Sequence, residues 1–380
     1  MPPLRVARVA SPGGLETFVE LGYRLRGNEH FWVPPPRREL YAILDRRKDH
    51  PFHEHAAMEL FVAFRGQEPV GRIAAIENHA HNIHHREKCG HFGFFEAAND
   101  PAVFRALYAA AEKWCAARGL DTLRGPCNPS TNEEVGFLAQ GFDSDPAFLT
   151  PYTPPYYLAH TEAAGFAKAM DLFSFYNNKE AFSDRIPAMA RRIREKLESR
   201  GVRVNVRPID MKRFDREVEH ILAVYNEAWS ENWGFVPMTP REVHRMATDL
   251  KPIAIPDMIL FAEVDAKVVG VLIGLPDYNV VLKHLGGRLG PREVLLFFLL
   301  RRNIHRIRLM GMGVVKEYRV RGIETILIAE FAANCIRLGY PEGEFGWVLE
   351  TNKLMNRGIL ANGAHLTKIH RIYEKPLARG

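Results

Sequence analysis

Tyr318-Arg319-Val320-Arg321-Gly322-Ile323-Glu324 joins two apolar segments, residues 307–315 and 325–337. The first segment reads as a strand. The second sets Ile326, Ile328, Ala329, Phe331, Ala332, Cys335 and Ile336 at helical spacing. A strand that turns through an Arg- and Gly-bearing loop into a helix collects backbone N–H groups and the positive end of the helix dipole at one point. That point suits a diphosphate. Gly322 is the residue expected to need positive φ or a close backbone approach. Glu324 is an acid beside the same point and fits an anion there only if it points away.

A diverged repeat surrounds this loop. The stretch Glu59-Leu-Phe-Val-Ala-Phe-Arg-Gly-Gln-Glu-Pro-Val-Gly is matched by Met258-Ile-Leu-Phe-Ala-Glu-Val-Asp-Ala-Lys-Val-Val-Gly. Each is an apolar strand, a short polar turn and a second strand that opens on Val-Gly (Val70-Gly71, Val269-Gly270), the pattern of a hairpin. Downstream, each copy carries a helix ending near glycine (Gly119, Gly339), a strand, and an Asn-bearing turn (Asn128 and Asn132; Asn352). A closing helix is expected before Gly141 and again before Gly363. The reading is an α+β chain of two tandem units, each a mixed, mostly antiparallel sheet flanked by helices, over residues 1–180 and 181–380.

Length and composition agree. At 380 residues two domains are expected, and 47% hydrophobic with 25% charged residues is ordinary for a folded chain. No run reaches the roughly 20 apolar residues of a membrane span, and no apolar signal region opens the chain, so a cytoplasmic address is expected. The four cysteines (Cys89, Cys115, Cys127, Cys335) form no C-x-x-C pair. A net charge of +6 favours anionic partners: a diphosphate, a phospholipid surface or a nucleic acid.

Between the second hairpin and the diphosphate loop lies an insertion. Gly290-Pro291 opens a helix expected to run through Val294-Leu-Leu-Phe-Phe-Leu-Leu300 into a basic end at Arg301, Arg302, His305, Arg306 and Arg308. Two readings stand: a buried helix with a solvated basic end, or an element lying against lipid or lining a fatty-chain tunnel. The histidines His79, His81, His84, His85 and His91, with Cys89, match no zinc spacing. They read as a solvated loop, and no metal is expected.

The loop Arg319-x-x-Gly322-x-Glu324 resembles the pyrophosphate loop of GNAT acyltransferases, although Glu324 stands where that pattern has a small residue. With it go Phe31-Trp32-Val33-Pro34-Pro35, Phe92-Gly93-Phe94-Phe95-Glu96, Gly125-Pro126-x-Asn128-Pro129-Ser130-Thr131-Asn132, Pro151-Tyr152-x-Pro154-Pro155-Tyr156-Tyr157 and Asn232-Trp233-Gly234-Phe235-Val236-Pro237. Together these resemble a family of bacterial two-domain GNAT proteins, some of whose members look like ceramide synthases. The resemblance implies two tandem GNAT-like domains, the first degenerate and the second holding coenzyme A. It implies an acyl-CoA-dependent N-acyltransferase acting on a primary amine, plausibly a sphingoid base.

The same resemblance distributes roles. The coenzyme would contact Val314, Val315, Arg319, Val320, Arg321, Gly322, Ile323, Glu324, Thr325 and Asn356. Glu350 would be the general base, with Asn352 beside it. The family's acidic Tyr on the next helix is absent near Ile359, so Tyr373 is the substitute for protonating the leaving thiolate. Asn128, Asn132, Trp229, Asn232 and Trp233 would face the acceptor. Glu350 or Asn352 could instead simply cap the following helix. Alternatives are acetylation of a small polar amine, a tRNA-dependent tandem enzyme, for which no helical arm is present, and a non-catalytic acyl-CoA-binding protein. The expected partners are acyl-CoA, an amine that could be a lipid, and peripherally an anionic membrane, with no nucleic acid.

Overall fold

The structure is a computed structural model and describes residues 2–178 and 185–378. The chain divides into two compact units, Met1–Leu172 with Tyr278–Asn303 and Lys368–Gly380, and Phe173–Asp277 with Ile304–Thr367.

The first unit contains β1 (Leu4–Arg8), α1 (Pro12–Arg26), α2 (Arg37–Leu44), β2 (Ala56–Arg65), β3 (Glu68–Asn78), α3 (His79–His85), β4 (Cys89–Ala97), α4 (Pro101–Ala116), β5 (Thr122–Gly125), β6 (Cys127–Asn128), β7 (Glu134–Val135), β8 (Phe137–Gln140) and α5 (Tyr156–Ala163). Strand β9 (Ala167–Asn178) carries the chain onward. The sheet order is β1-β2-β3-β4-β5, antiparallel except for the parallel β4–β5 pair that α4 connects. Helix starts follow local chemistry: the side chain of Ser11 accepts from Gly14 N–H and that of Asp100 from Ala102 N–H, each just before a first-turn proline. The core is aromatic, with Phe95 stacked on Tyr108 and both packed with Phe104, Phe137 and Tyr157.

The second unit repeats this plan. It holds α6 (Arg185–Glu198), β10 (Val204–Pro208), α7 (Phe214–Ala228), α8 (Pro240–Leu250), β11 (Ile259–Val264) and β12 (Lys267–Pro276). Helices α9 (Asn279–Leu285) and α10 (Pro291–Leu300) then return to the first unit. The second unit resumes with β13 (Arg306–Val314), α11 (Ile323–Arg337), β14 (Glu342–Leu349) and α12 (Lys353–Ala361). Strand β15 (His365–Pro376) ends in the first unit on β5 and β8. The order β10-β11-β12-β13-β14, with its one parallel pair β13–β14 across α11, matches β1 to β5. The repeated Val-Gly has a packing reason. A Cβ on Gly71 would lie 2.8 Å from Val103 and Leu107 of α4, and one on Gly270 3.3 Å from Leu327 of α11. Glycine lets the crossover helix sit close to the sheet in both copies.

The α+β tandem architecture is thus as expected, and three local expectations are corrected. Residues 301–308 do not extend a helix: a 3₁₀ turn covers Arg301–Asn303, and Arg306 and Arg308 lie in β13. The first copy has strands β7 and β8 before Gly141 rather than a helix, and its helix is α5. The histidine segment is helix α3 leading into β4, with His81, Cys89 and His91 buried.

Helix α10 has no buried residue; Leu295, Phe298 and Leu299 are 63%, 51% and 59% exposed. The buried-helix reading fails. Its neighbour α9 is tied down within the first unit, where Asn279 Nδ2 donates to Pro146 O and Ala147 O at 2.9 Å and Lys283 meets Asp145 at 2.7 Å.

Candidate active site

In the second unit the residues after β13 make a 3₁₀ turn at Lys316–Tyr318, then an extended Arg319. Val320 follows at φ 61° and Gly322 at φ 85°, the latter capping α11. A β-branched residue in the left-handed region is rare, and Val320 is also 97% exposed. That conformation is held in the open, with no packing to gain by it. Thr325 N–H bonds to Gly322 O at 3.0 Å, and no side chain caps the helix. An uncapped helix start of this kind can receive an anion.

The two loop arginines divide their tasks. Arg319 Nε donates to Val314 O at 3.2 Å, its Nη2 donates to Ala228 O at the end of α7, and Glu231 lies 3.8 Å away. A cation at a helix C-terminus is stabilising, so Arg319 joins the loop to α7. Arg321 is exposed, its guanidinium 4.8 Å above the Tyr318 ring. We expect Arg321→Ala to weaken CoA binding by about 10-fold with the melting temperature unchanged, as for a single charge-assisted contact. Arg319→Ala is expected to lower the melting temperature as well. Calorimetry and thermal melts on both variants check this.

Strands β13 and β14 part company above their base. Their pairs run from Arg306↔Glu342 to Leu309↔Phe345 and stop, while β13 continues to Val314 and β14 to Leu349. On the other edge of β13 the register with β12 slips between Ile273↔Gly311 and Gly274↔Leu309, so Met310 is the extra residue of a bulge. Trp229, at the end of α7, packs over the unpaired length. A Cβ on Gly313 would lie 2.6 Å from its ring, and one on Gly311 3.6 Å. The two glycines make room for the indole, and Tyr225 lies 5.0 Å from it. Asn232 and Trp233 are half-buried in the turn that follows, where Asn232 N–H bonds to Trp229 O at 2.8 Å.

At the top of β14, Glu350 is half-buried. The capping question resolves onto its neighbour: Asn352 Oδ1 accepts from Met355 N–H at 3.2 Å and is the N-cap of α12. Asn356 Nδ2 donates back to Leu349 O at 3.0 Å, fixing the strand end on which Glu350 sits, and its Oδ1 is buried without a hydrogen-bond partner.

Sequence reasoning missed a buried charged layer at the foot of the gap. Arg306 Nε donates to Asp277 Oδ2 at 2.7 Å, and Glu344 is 3.7 Å from Arg306. Burial works against the Arg306 charge, but Asp277 and Glu344 outweigh it and raise its pKa. Arg308, 4% exposed, donates to Gly346 O at 3.4 Å and lies 5.3 Å from the Trp347 ring. The signal was present as Arg-x-Arg on one strand and Glu-x-Glu on the next, each pair on one face.

The remaining site residues fall in the first unit. Tyr373 is fully buried in its aromatic core and donates to Glu162 at 2.8 Å; burial, then the Glu162 carboxylate, raise the phenol pKa well above its usual range. It belongs to packing there, not to the unit that carries Glu350. Asn128 Oδ1 accepts from Phe94 N–H at 2.6 Å and supports that residue's positive φ of 47°, and Asn132 lies half-buried in the β6–β7 turn. The first unit's own crossover helix is not an open cradle: the Asp100 carboxylate already occupies its start and pairs with Arg65.

No family model matches the chain. The chain is 37% identical over 382 residues to the bacterial ceramide synthase of Caulobacter vibrioides, covering 98% of each. It is 32% identical over 371 residues to protein YghO of Escherichia coli, covering 96% of this chain and 93% of that one. Among solved structures it resembles a tandem GNAT protein from the clavulanic acid biosynthesis pathway (TM-score 0.56, 13% identity, all of both chains). It also resembles a GCN5-related N-acetyltransferase from Sphaerobacter thermophilus (TM-score 0.52, 13% identity, 100% of this chain and 98% of that one). Full-length identity at this level, on a twice-repeated α+β sheet, places the protein: it is an N-acyltransferase with the tandem GNAT fold and belongs to the family of the bacterial ceramide synthase.

Proposed function

We propose that the chain transfers a long acyl group from acyl-CoA to the primary amine of a sphingoid-type base. The carrying observation is the gap between β13 and β14 beside the uncapped start of α11. In this reading the CoA diphosphate lies on the backbone of residues 320–325 near Arg321, and the pantetheine arm runs along the unpaired end of β13. The thioester then reaches the Met310 bulge, a residue without a register partner on either side, whose N–H would donate to the developing oxyanion. The amine nitrogen attacks the thioester carbon and Glu350, directly or through water, takes the amine proton. The C–S bond breaks as the C–N bond forms, and CoA leaves as a thiolate. A thiol of pKa about 8.5 leaves as an anion at modest cost near neutral pH, so no tyrosine acid is needed.

The lipid character of the substrates is supported by α10 and by the named relative. Leu295, Phe298 and Leu299 are exposed beside Arg301 and Arg302, an apolar surface edged by cations, as suits docking on an anionic membrane. Among the described residues, no helix is long and apolar enough to cross a membrane. Arg306 and Arg308 drop out of the basic edge because they are ion-paired or buried in β13.

The experiment is a donor series from acetyl- to palmitoyl-CoA against a sphingoid base, with anionic liposomes present or absent. Each enclosed CH₂ contributes about 0.8 kcal/mol, so kcat/KM should rise by orders of magnitude along the series. Equal or better turnover with acetyl-CoA would overturn the lipid reading in favour of a small polar amine. A Leu295→Asp/Phe298→Asp double variant is expected to lose at least about 10-fold in liposome binding, since each side chain contributes roughly 1.5–3 kcal/mol when buried in lipid. Its turnover of a detergent-dispersed amine should be unchanged.

A further inference from the structure

The first unit contains a donor cluster that acyl transfer does not use. His81 on α3 and Cys89 and His91 on β4 are 1%, 1% and 4% exposed. One ligand atom from each lies within 4.8 Å of the other two. Cys89 and His91 stand two residues apart on a strand and so share a face. Asn82 holds the helix over that face: its Oδ1 accepts from Cys89 N–H at 2.9 Å and its Nδ2 donates to Cys89 O at 3.1 Å. Backbone bonds therefore fix the cluster, independently of its own side chains.

Two of its polar atoms are unexplained by the protein alone. Nδ1 of His81 and Nδ1 of His91 are both buried without a hydrogen-bond partner. Buried polar atoms are ordinarily partnered, so the unpartnered Nδ1 of His81 within this cluster calls for a ligand. We propose that the first unit holds one thiophilic divalent metal ion, zinc by its donor set, ligated by His81, Cys89 and His91. Two imidazoles and a thiolate are borderline-soft donors that suit zinc and exclude calcium or magnesium.

The geometry needs little movement. Bond lengths of about 2.0–2.3 Å imply ligand-to-ligand spacings of about 3.3–3.7 Å in a tetrahedral site. The Cys89 Sγ–His91 Nε2 separation is already 3.9 Å, so His91 would ligate through Nε2, and the orphaned nitrogen an ion would satisfy is Nδ1 of His81. The Glu87 carboxylate, 3.4 Å from His81 Nε2, either orients that ring or supplies the fourth ligand. Arg124 is the cation that opposes a metal here, but it is paired with Glu87 and with Glu374, both at 3.0 Å, and two carboxylates outweigh it. Binding must then release the thiol proton to solvent as the metal–sulfur bond forms, leaving one net positive charge from ion and thiolate together.

The test uses the full chain, stripped with chelator and titrated with Co²⁺ alone. We expect uptake of about one ion per chain, as for a single structural site, with a thiolate-to-cobalt charge-transfer band. Cys89→Ser, nearly isosteric, should remove the band with the far-UV spectrum intact. His81→Gln should weaken uptake at least about 10-fold, since even outer partners of metal sites contribute that much. His84→Ala, exposed on the same helix, should change nothing. The absence of a thiolate band in the wild type, or its survival in Cys89→Ser, would overturn the proposal, as would full uptake by His81→Gln.

Discussion

Gly322→Val is expected to abolish acyl-CoA binding measured by calorimetry while the protein remains folded. Gly322 sits at φ 85°, and a Cβ built there would lie 2.8 Å from Ile193 Cδ1 on α6. The left-handed conformation alone costs a non-glycine residue about 1–2 kcal/mol, more for a β-branched one. The clash adds to it, and both are relieved by moving the start of α11. That movement breaks up the amide cradle. Hydrogen bonds to a charged group contribute about 1.5–3 kcal/mol each, so losing two weakens binding at least about 100-fold. The rest of α11 stays anchored by Ile326, Leu327 and Phe331 in the second unit's core, which is why the fold should survive with a modestly lower melting temperature. Gly322→Ala should show a smaller loss. Undiminished affinity in the folded Val variant would remove the diphosphate assignment and with it the reading of the whole site.

What the sequence made legible follows from the range of the forces involved. The hairpins and the loop at Gly322 are set within a few residues by turn chemistry, and they were readable. The repeat added the fold, because two weak copies of one pattern constrain each other. The failures all involve contacts distant in sequence. Nothing local tells that Asn279 will meet the carbonyls of Pro146 and Ala147, so the placement of α9 and α10 with the first unit was not foreseen. Arg306 looked like part of a basic surface because its partner Asp277 lies 29 residues away, and Arg308 because the Gly346 carbonyl it meets lies 38 away. Tyr373 looked available because Glu162, 211 residues away, is invisible until β15 pairs with β5.

Of the candidate catalytic residues, the structure separates Glu350 from its neighbour. A residue that merely caps a helix should show its loss as stability, about 0.5–2 kcal/mol, with turnover kept. That is the expected behaviour of Asn352→Ala, because Asn352 makes the bond to Met355 N–H. Glu350 follows the strand end that parts from β13, on backbone pinned by Asn356. Such a carboxylate can take a proton from an amine that meets a thioester held at the Met310 bulge. Removing a general base lowers kcat by roughly 10² to 10⁴-fold. We therefore expect Glu350→Gln to reduce kcat by that range, with the melting temperature and the affinity for acyl-CoA nearly unchanged, because glutamine keeps the shape and the proposed coenzyme contacts lie in the loop at 320–325. Measured side by side, Glu350→Gln and Asn352→Ala should show opposite profiles, one kinetic and one thermal. If Glu350→Gln keeps full turnover, the base lies elsewhere. The buried Glu344, paired with Arg306 at the foot of the gap, is then the next carboxylate to test.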